Sequence, residues 1–169
     1  MKNSFQKDLF IGLSHRGNSK RFIENSFEAF NSVIQMGYKY IETDLRMTLD
    51  GEVIAFHDPD LKRLFNLDLQ VKDLTFNEIA NLFKEKNCTL LSLEDALMKF
   101  PEIHFNIDLK VEEVIRDSIK VVTDFNAFDR VCFASFRSSR TEKVLRQNRN
   151  TIVSMGMKDV ALFKFFNFH

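Results

Sequence analysis

Apolar and polar residues alternate along this chain in two periods, one typical of strands and one typical of helices. Short apolar or alternating runs bounded by turn residues predict strands, and apolar residues at helical spacing after a capping residue predict helices. The predicted strands cover residues 9–14, 41–45, 52–56, 104–110, 131–136 and 151–155. The first predicted helix follows a cap at Asn25 or Ser26 and stops at Gly37, and the others cover residues 75–83, 92–100, 111–125, 138–147 and 159–166.

Strands and helices therefore follow one another through the chain, which indicates an α/β fold with a parallel sheet. Six strand-helix units in 169 residues form a single predicted domain over residues 1–169. A closed barrel of eight such units typically needs about 250 residues. The sequence thus predicts a TIM-type (β/α)8 barrel that is incomplete or open, or a fragment of a longer parent. The first and last strands would then be unpaired edges through which copies could self-associate.

Two carboxylates stand two residues apart in the second predicted strand. Glu42 and Asp44 face one side of an extended chain, while Ile41, Thr43 and Leu45 face the other. Like charges on one face are costly unless a cation lies between them, and hard divalent cations prefer oxygen ligands. The pair therefore indicates a metal site. The alternative is an edge strand with a solvated acidic face.

Other polar residues lie at the ends of the first four predicted strands. His15 and Arg16 end the first strand, His57 the third, and Asp108 and Lys110 the fourth. Barrel enzymes build their active sites at the carboxyl ends of the strands. Together these residues are suited to hydrolysis of a phosphodiester. Three carboxylates can hold one metal cation, two histidines can act as acid and base, and Arg16 and Lys110 can neutralise a phosphate. Lys110 has a simpler alternative, since it shares a face with Asp108 and can pair with it.

The amino-acid composition argues against some classes of binding partner. The chain carries 24 basic and 24 acidic residues, so it has no net charge to favour nucleic acid or an anionic membrane surface. No segment has the length and hydrophobicity of a membrane span or a secretory signal, which predicts a cytoplasmic protein. Cys88 and Cys132 lack metal-site spacing and are interpreted as buried apolar residues.

A set of short motifs, in this order, resembles the glycerophosphodiester phosphodiesterase family. The resemblance covers about residues 9–156 and depends on His15-Arg16-Gly17, Glu24-Asn25, Glu42-Thr43-Asp44, Thr48-Leu49-Asp50-Gly51, His57-Asp58 with Leu61 and Arg63, Asp73-Leu74-Thr75, Leu93-Glu94 and Asn106-Ile107-Asp108-Leu109-Lys110.

This resemblance implies a TIM barrel that hydrolyses glycerophosphodiesters to an alcohol and glycerol 3-phosphate. It implies one divalent cation, Mg²⁺ or Ca²⁺, on three carboxylates, an acid/base pair of histidines, two cations that hold the phosphate, and a supporting glutamate. In this sequence the three carboxylates are Glu42, Asp44 and Asp108, and the two histidines are His15 and His57. The cations that hold the phosphate are Arg16 and Lys110, and the supporting glutamate is Glu24.

The chain departs from the family pattern in two respects. The family usually has glutamate at the position of Asp108, and the family's last two strands have no counterpart here. Two hypotheses follow: a metal-dependent phosphodiesterase, or a non-catalytic remnant or phosphate-binding module of the same fold. A relative of phospholipase C with a similar histidine pair is a third alternative, differing mainly in substrate.

Overall fold

A computed structural model describes residues 11–154. The six strands within this range are β1 (Ser14–His15), β2 (Tyr40–Met47), β3 (Val53–Ala55), β4 (His104–Leu109), β5 (Val131–Ala134) and β6 (Ile152–Val153). The six α-helices are α1 (Phe27–Gln35), α2 (Lys62–Phe65), α3 (Phe76–Glu85), α4 (Leu93–Lys99), α5 (Val114–Asp124) and α6 (Ser138–Gln147). A short 3-10 helix covers Val71–Asp73.

The described strands form one sheet in the order β1-β2-β4-β5-β6, and every pairing along this path is parallel. Strand β3 is antiparallel to β2 and lies off the path. The prediction of six parallel units is therefore wrong within the described residues, which contain five parallel strands and a hairpin. The reason lies in the short turn around Asp50-Gly51, since an antiparallel hairpin needs only a few linking residues whereas a parallel crossover needs a dozen or more.

The alternation predicted for β2 and β4 is confirmed. Ile41, Leu45, Ile107 and Leu109 are fully buried in a core shared with helices α1, α4, α5 and α6. The opposite face of both strands carries the acidic residues. A second apolar cluster lies between β3 and α3, and it includes Ile54, Phe56, Leu61, Val71, Ile79 and Phe83. The faces of the sheet thus separate packing residues from polar ones.

Helix starts agree with the capping signals. The Thr75 hydroxyl accepts from the Glu78 amide, and the Glu78 carboxylate accepts from Thr75 in return, which is a capping box. Ser26 and Ser92 cap α1 and α4 in the same manner with their hydroxyls. Helix α5 begins at Val114, three residues later than predicted. Residues 111–113 instead form the turn after β4.

The predicted first strand, residues 9–14, is wrong in extent. Strand β1 comprises Ser14 and His15 only, and Leu13 is 41% exposed. The cause is the position of β1 at the edge of the described sheet, where only β2 pairs with it. Parts of four predictions lie outside the described range. They are residues 9–10 of the first strand, Met155 of the sixth strand, the helix at 159–166 and both ends of the predicted domain over residues 1–169.

Cys88 and Cys132 are buried and unbridged, as predicted. Within residues 11–154, every helix falls short of the length and apolar character that a membrane crossing requires. The cytoplasmic location, self-association through the sheet edges and the lack of affinity for nucleic acid stay predictions.

Candidate active site

The acidic residues of β2 and β4 lie side by side. The parallel register places Asp44 opposite Asp108 and Glu42 opposite Asn106. Asp44 is fully buried and Asp108 nearly so. Directly opposed like charges destabilise a sheet, so this pair requires positive charge between its members. The predicted convergence of carboxylates on one face is therefore confirmed.

Two cations meet this requirement. Lys110 Nζ lies 2.6 Å from Asp108 Oδ2 and 2.9 Å from Asp44 Oδ1, and Arg16 Nε lies 2.9 Å from Asp44 Oδ2. Burial opposes a charged lysine, but the hydrogen bonds to Asp108 and Asp44 outweigh it and raise the pKa of Lys110. The simpler alternative for Lys110, a pair with Asp108, is thus what the structure shows.

A left-handed backbone turn brings Arg16 to Asp44. Arg16, Gly17 and Asn25 have φ angles of 57°, 73° and 61°. The Arg16 amide donates to the Glu42 carbonyl at 2.9 Å, and the Asn25 amide donates to the Arg16 carbonyl at 3.0 Å. A Cβ on Gly17 would lie 2.6 Å from the carbonyl carbon of Ala29, so this position requires glycine.

Glu42 lies 3.7 Å from His15 Nε2 through its Oε2 atom. Burial first, and the charge of Asp44 second, raise its pKa to about 7. One buried carboxylate oxygen of each of Glu42, Asp44 and Asp108 has no hydrogen bond, although the oxygen of Asp44 contacts Lys110 as an ion pair. Oxygens of this kind can serve as metal ligands, although Lys110 lies against that of Asp44 and His15 near that of Glu42.

His57 follows β3, which folds back along β2 so that the Phe56 amide donates to the Asp44 carbonyl at 2.9 Å. The prediction that His57 ends a parallel strand is wrong, yet the hairpin delivers it to the same rim. Its Nδ1 lies 2.6 Å from Asp58 Oδ1. A carboxylate accepts only, so this contact places the proton on Nδ1 and leaves Nε2 free for chemistry.

His15 lies at the other side of the carboxylates. Its Nε2 is 3.7 Å from Glu42 Oε2, and its side chain is 67% exposed. Partial desolvation first, and the Arg16 guanidinium second, lower the pKa of His15, so its ring is mainly neutral at pH 7. His57 is near enough to contribute to this shift.

Glu24 supports the site through two arginines. Its Oε1 lies 3.1 Å from an Arg16 NH group and 2.5 Å from an Arg63 NH group, while Oε2 accepts from Arg63 at 3.1 Å. All eight predicted residues are therefore within one connected region, His15 at its exposed margin.

Sequence reasoning assigned no role to three residues that the structure places in contact with the site. They are Asp58 against His57, Arg63 between Asp58 and Glu24, and Asn25, whose Nδ2 donates to Asp44 Oδ2 at 3.0 Å. Each stands in a motif that carried the family resemblance, and that position was their signal. Phe136 is a further addition, an exposed ring whose centroid lies 5.6 Å from Lys110 Nζ.

The parallel α/β sheet thus brings acids, paired cations and two histidines together at one rim, where barrel enzymes place their active sites. Residues 15–165 match the sequence profile of the "Glycerophosphoryl diester phosphodiesterase family". The chain belongs to this family.

Curated proteins with similar sequences carry the name of the same family. The chain is 34% identical over 137 residues to a probable glycerophosphodiester phosphodiesterase 2 of Mycobacterium tuberculosis, covering 80% of this chain and 52% of that protein. It is 32% identical over 139 residues to a glycerophosphodiester phosphodiesterase of Caldanaerobacter subterraneus, covering 73% and 57%. The chain thus spans about half the length of these curated relatives.

Solved structures show the same architecture. The glycerophosphodiester phosphodiesterase of Thermotoga maritima matches 86% of this chain and 62% of its own, with a TM-score of 0.74 and 27% identity. A phosphodiesterase of Oleispira antarctica, solved with its product sn-glycerol-3-phosphate, matches 90% and 67% with a TM-score of 0.80 and 22% identity. The second likeness concerns the fold alone, and together they confirm the predicted TIM-barrel class.

Proposed function

We propose that this chain carries the catalytic rim of a metal-dependent glycerophosphodiesterase that releases an alcohol and glycerol 3-phosphate. The observation that carries the proposal is the meeting of Asp44 and Asp108 with Arg16 and Lys110, within contacts of 2.6–2.9 Å. Positive and negative side chains alternate in this arrangement. A phosphate can replace the acids as the partner of Arg16 and Lys110, and a metal cation can replace these two residues as the partner of Asp44 and Asp108.

The carboxylates fit a divalent cation. Glu42, Asp44 and Asp108 each have a buried oxygen without a hydrogen bond, and carboxylate oxygens are the ligands of Mg²⁺ and Ca²⁺. In residues 11–154 no three acidic, histidine or cysteine side chains are grouped as metal ligands, and Lys110 and Arg16 lie against the acids. These three carboxylates would hold the cation once the lysine and arginine turn to the substrate phosphate.

When bound, the cation would polarise the phosphate and lower the pKa of a substrate hydroxyl. Arg16 and Lys110 then offset the negative charge that grows on the phosphate oxygens in the transition state. Arg16 suits this role because its planar guanidinium presents several donors, and Glu24 keeps that plane oriented.

The two histidines move the protons. His15 is mainly neutral at pH 7 because its pKa is lowered, so it suits removal of a proton from the attacking hydroxyl. Because Asp58 occupies Nδ1, His57 would carry its second proton on Nε2 and give it to the leaving alcohol as the bond from phosphorus to that alcohol breaks. A cyclic phosphate formed in the first step would be opened by water with the two roles reversed.

A second candidate function is a phosphate-binding module that keeps the site without turnover. It is favoured by the contacts of Arg16 and Lys110 with the acids, because two neighbouring cations can hold a phosphate without a metal. The two candidates make different predictions for the same purified chain.

The deciding experiment measures glycerol 3-phosphate release from glycerophosphocholine with Mg²⁺ or Ca²⁺, with a chelator, and in His15→Ala. Turnover that the chelator and the variant both abolish supports the enzyme. A folded chain with no turnover contradicts it. Thermal stabilisation by inorganic phosphate, lost in Lys110→Met and kept in Lys120→Met, then supports the module; Lys120 is the control because it pairs with Asp124 on the exposed face of α5.

A further inference from the structure

Arg63 joins two carboxylates that come from separate parts of the chain. Its Nε donates to Asp58 Oδ2 at 2.6 Å, and its two terminal NH groups donate to Glu24 at 2.5 and 3.1 Å. Glu24 is nearly buried, and the two acids are 34 residues apart in sequence. Three donors of one guanidinium therefore hold two loops together.

Each of these carboxylates continues to a residue of the site. The other oxygen of Asp58 lies 2.6 Å from His57 Nδ1, and Glu24 Oε1 lies 3.1 Å from a terminal nitrogen of Arg16. Arg16 in turn contacts Asp44. A continuous series of charged contacts thus runs from His57 through Arg63 to the carboxylates of the sheet.

The contacts of this series also keep Asp58 and Arg63 ionised. Burial opposes ionisation of Asp58, but hydrogen bonds from Arg63 and from His57 outweigh it and lower the pKa of Asp58. The hydrogen bonds that Arg63 donates to Glu24 raise the pKa of Arg63 further. Asp58 thus stays an acceptor, which is the condition for a protonated Nδ1 on His57.

We propose that Arg63 is a positioning residue that fixes the Nδ1-protonated form and orientation of His57 and, through Glu24, the direction of Arg16. The inference rests on the proposed function for its catalytic meaning. The geometry requires arginine, because three N–H groups point to two acids in a fixed plane, whereas a lysine offers one rotating ammonium. Without Arg63 the two acids repel each other, and Asp58 turns away from His57.

The experiment that tests this proposal is ¹⁵N NMR of histidine-labelled protein at alkaline pH. In the parent chain His57 is expected to show protonated Nδ1 and bare Nε2. In Arg63→Gln both tautomers are expected on His57, while the exposed ring of His15 keeps its spectrum. Arg116→Gln is the matched control, because Arg116 pairs with Asp117 on the surface and its loss leaves His57 unchanged.

Turnover supplies a second readout. Arg63→Gln is expected to lower kcat about 10- to 100-fold, since misplaced catalytic groups cost rates of that order, with partial recovery in Arg63→Lys. A folded Arg63→Gln with an unchanged His57 spectrum overturns the proposal. If Arg63→Gln does not fold, Arg63→Lys decides: mixed tautomers support the inference and an unchanged spectrum contradicts it. A parent chain without turnover contradicts the proposed function alone, because the spectra test Arg63 independently.

Discussion

The two histidines of the site are held by different means. His57 is anchored by its side chain, through Asp58 at 2.6 Å, and 31% of that side chain is exposed. His15 is placed by its backbone, in β1 opposite Glu42 and just before the left-handed turn at Arg16, and its side chain is 67% exposed. One ring is therefore oriented before substrate arrives, and the other is free to turn toward it.

The largest expected effect is loss of either ring. His57→Gln and His15→Gln should each lower kcat about 10²- to 10⁴-fold with glycerophosphocholine, because proton transfer by a positioned group contributes rates of that size. The double variant should be little slower than the slower single variant, since both rings serve one reaction. Steady-state kinetics at saturating substrate measure this. If one variant retains full kcat, that ring has no part in proton transfer.

The backbone support of His15 can be broken separately at Gly17. Gly17→Ala should lower the free energy of unfolding by about 2–4 kcal/mol, because the new Cβ meets the Ala29 carbonyl carbon at 2.6 Å and the φ angle of +73° is strained for alanine. Denaturant unfolding provides the measurement. Gly51→Ala is the control: its φ is +84° with nothing within 4 Å of the added Cβ, so it should cost only about 1 kcal/mol.

The carboxylate beside His15 should make metal-free stability depend on pH. The folded pKa of Glu42 is raised from 4.5 to about 7, so between these values the folded chain binds more protons than the unfolded chain. Stability from this group is therefore fully present below pH 4.5 and is lost as the pH rises through about 7. Glu42→Gln should thus be more stable than the parent at pH 8, by about 3 kcal/mol at most.

The pH dependence of this gain is the sharper test. The advantage of Glu42→Gln should shrink steadily between pH 7 and pH 5, measured by denaturant unfolding in the presence of a chelator. Glu102→Gln, which removes an exposed carboxylate in the turn before β4, should show no such trend. A constant difference between Glu42→Gln and the parent across this range would show that Glu42 ionises normally.

The sequence could predict the parts of the site that local patterns determine. Period-two alternation located Glu42, Asp44 and Asp108 because neighbouring parallel strands in register bring equivalent positions together. The direction of β3 was missed because an apolar run has no direction, although the five residues that link β2 to β3 are too few for a crossover. The contact of Arg63 with Glu24 was beyond prediction, since an ion pair between residues 39 apart in sequence leaves no local period.

The smallest expected effect concerns the hydrogen bonds that connect Thr43 to Asp44 through Asn25. The Thr43 hydroxyl donates to Asn25 Oδ1 at 2.9 Å, which fixes the amide so that its Nδ2 donates to Asp44 at 3.0 Å. Thr43→Val keeps the shape but leaves that oxygen unpaired, and should lower the free energy of unfolding by about 1 kcal/mol. Thr123→Val, on α5 away from the site, removes a comparable hydroxyl bond to Ile119. Equal stability losses with weaker Mg²⁺ binding in Thr43→Val alone would show that Asn25 orients Asp44, whereas equal Mg²⁺ affinities would contradict it.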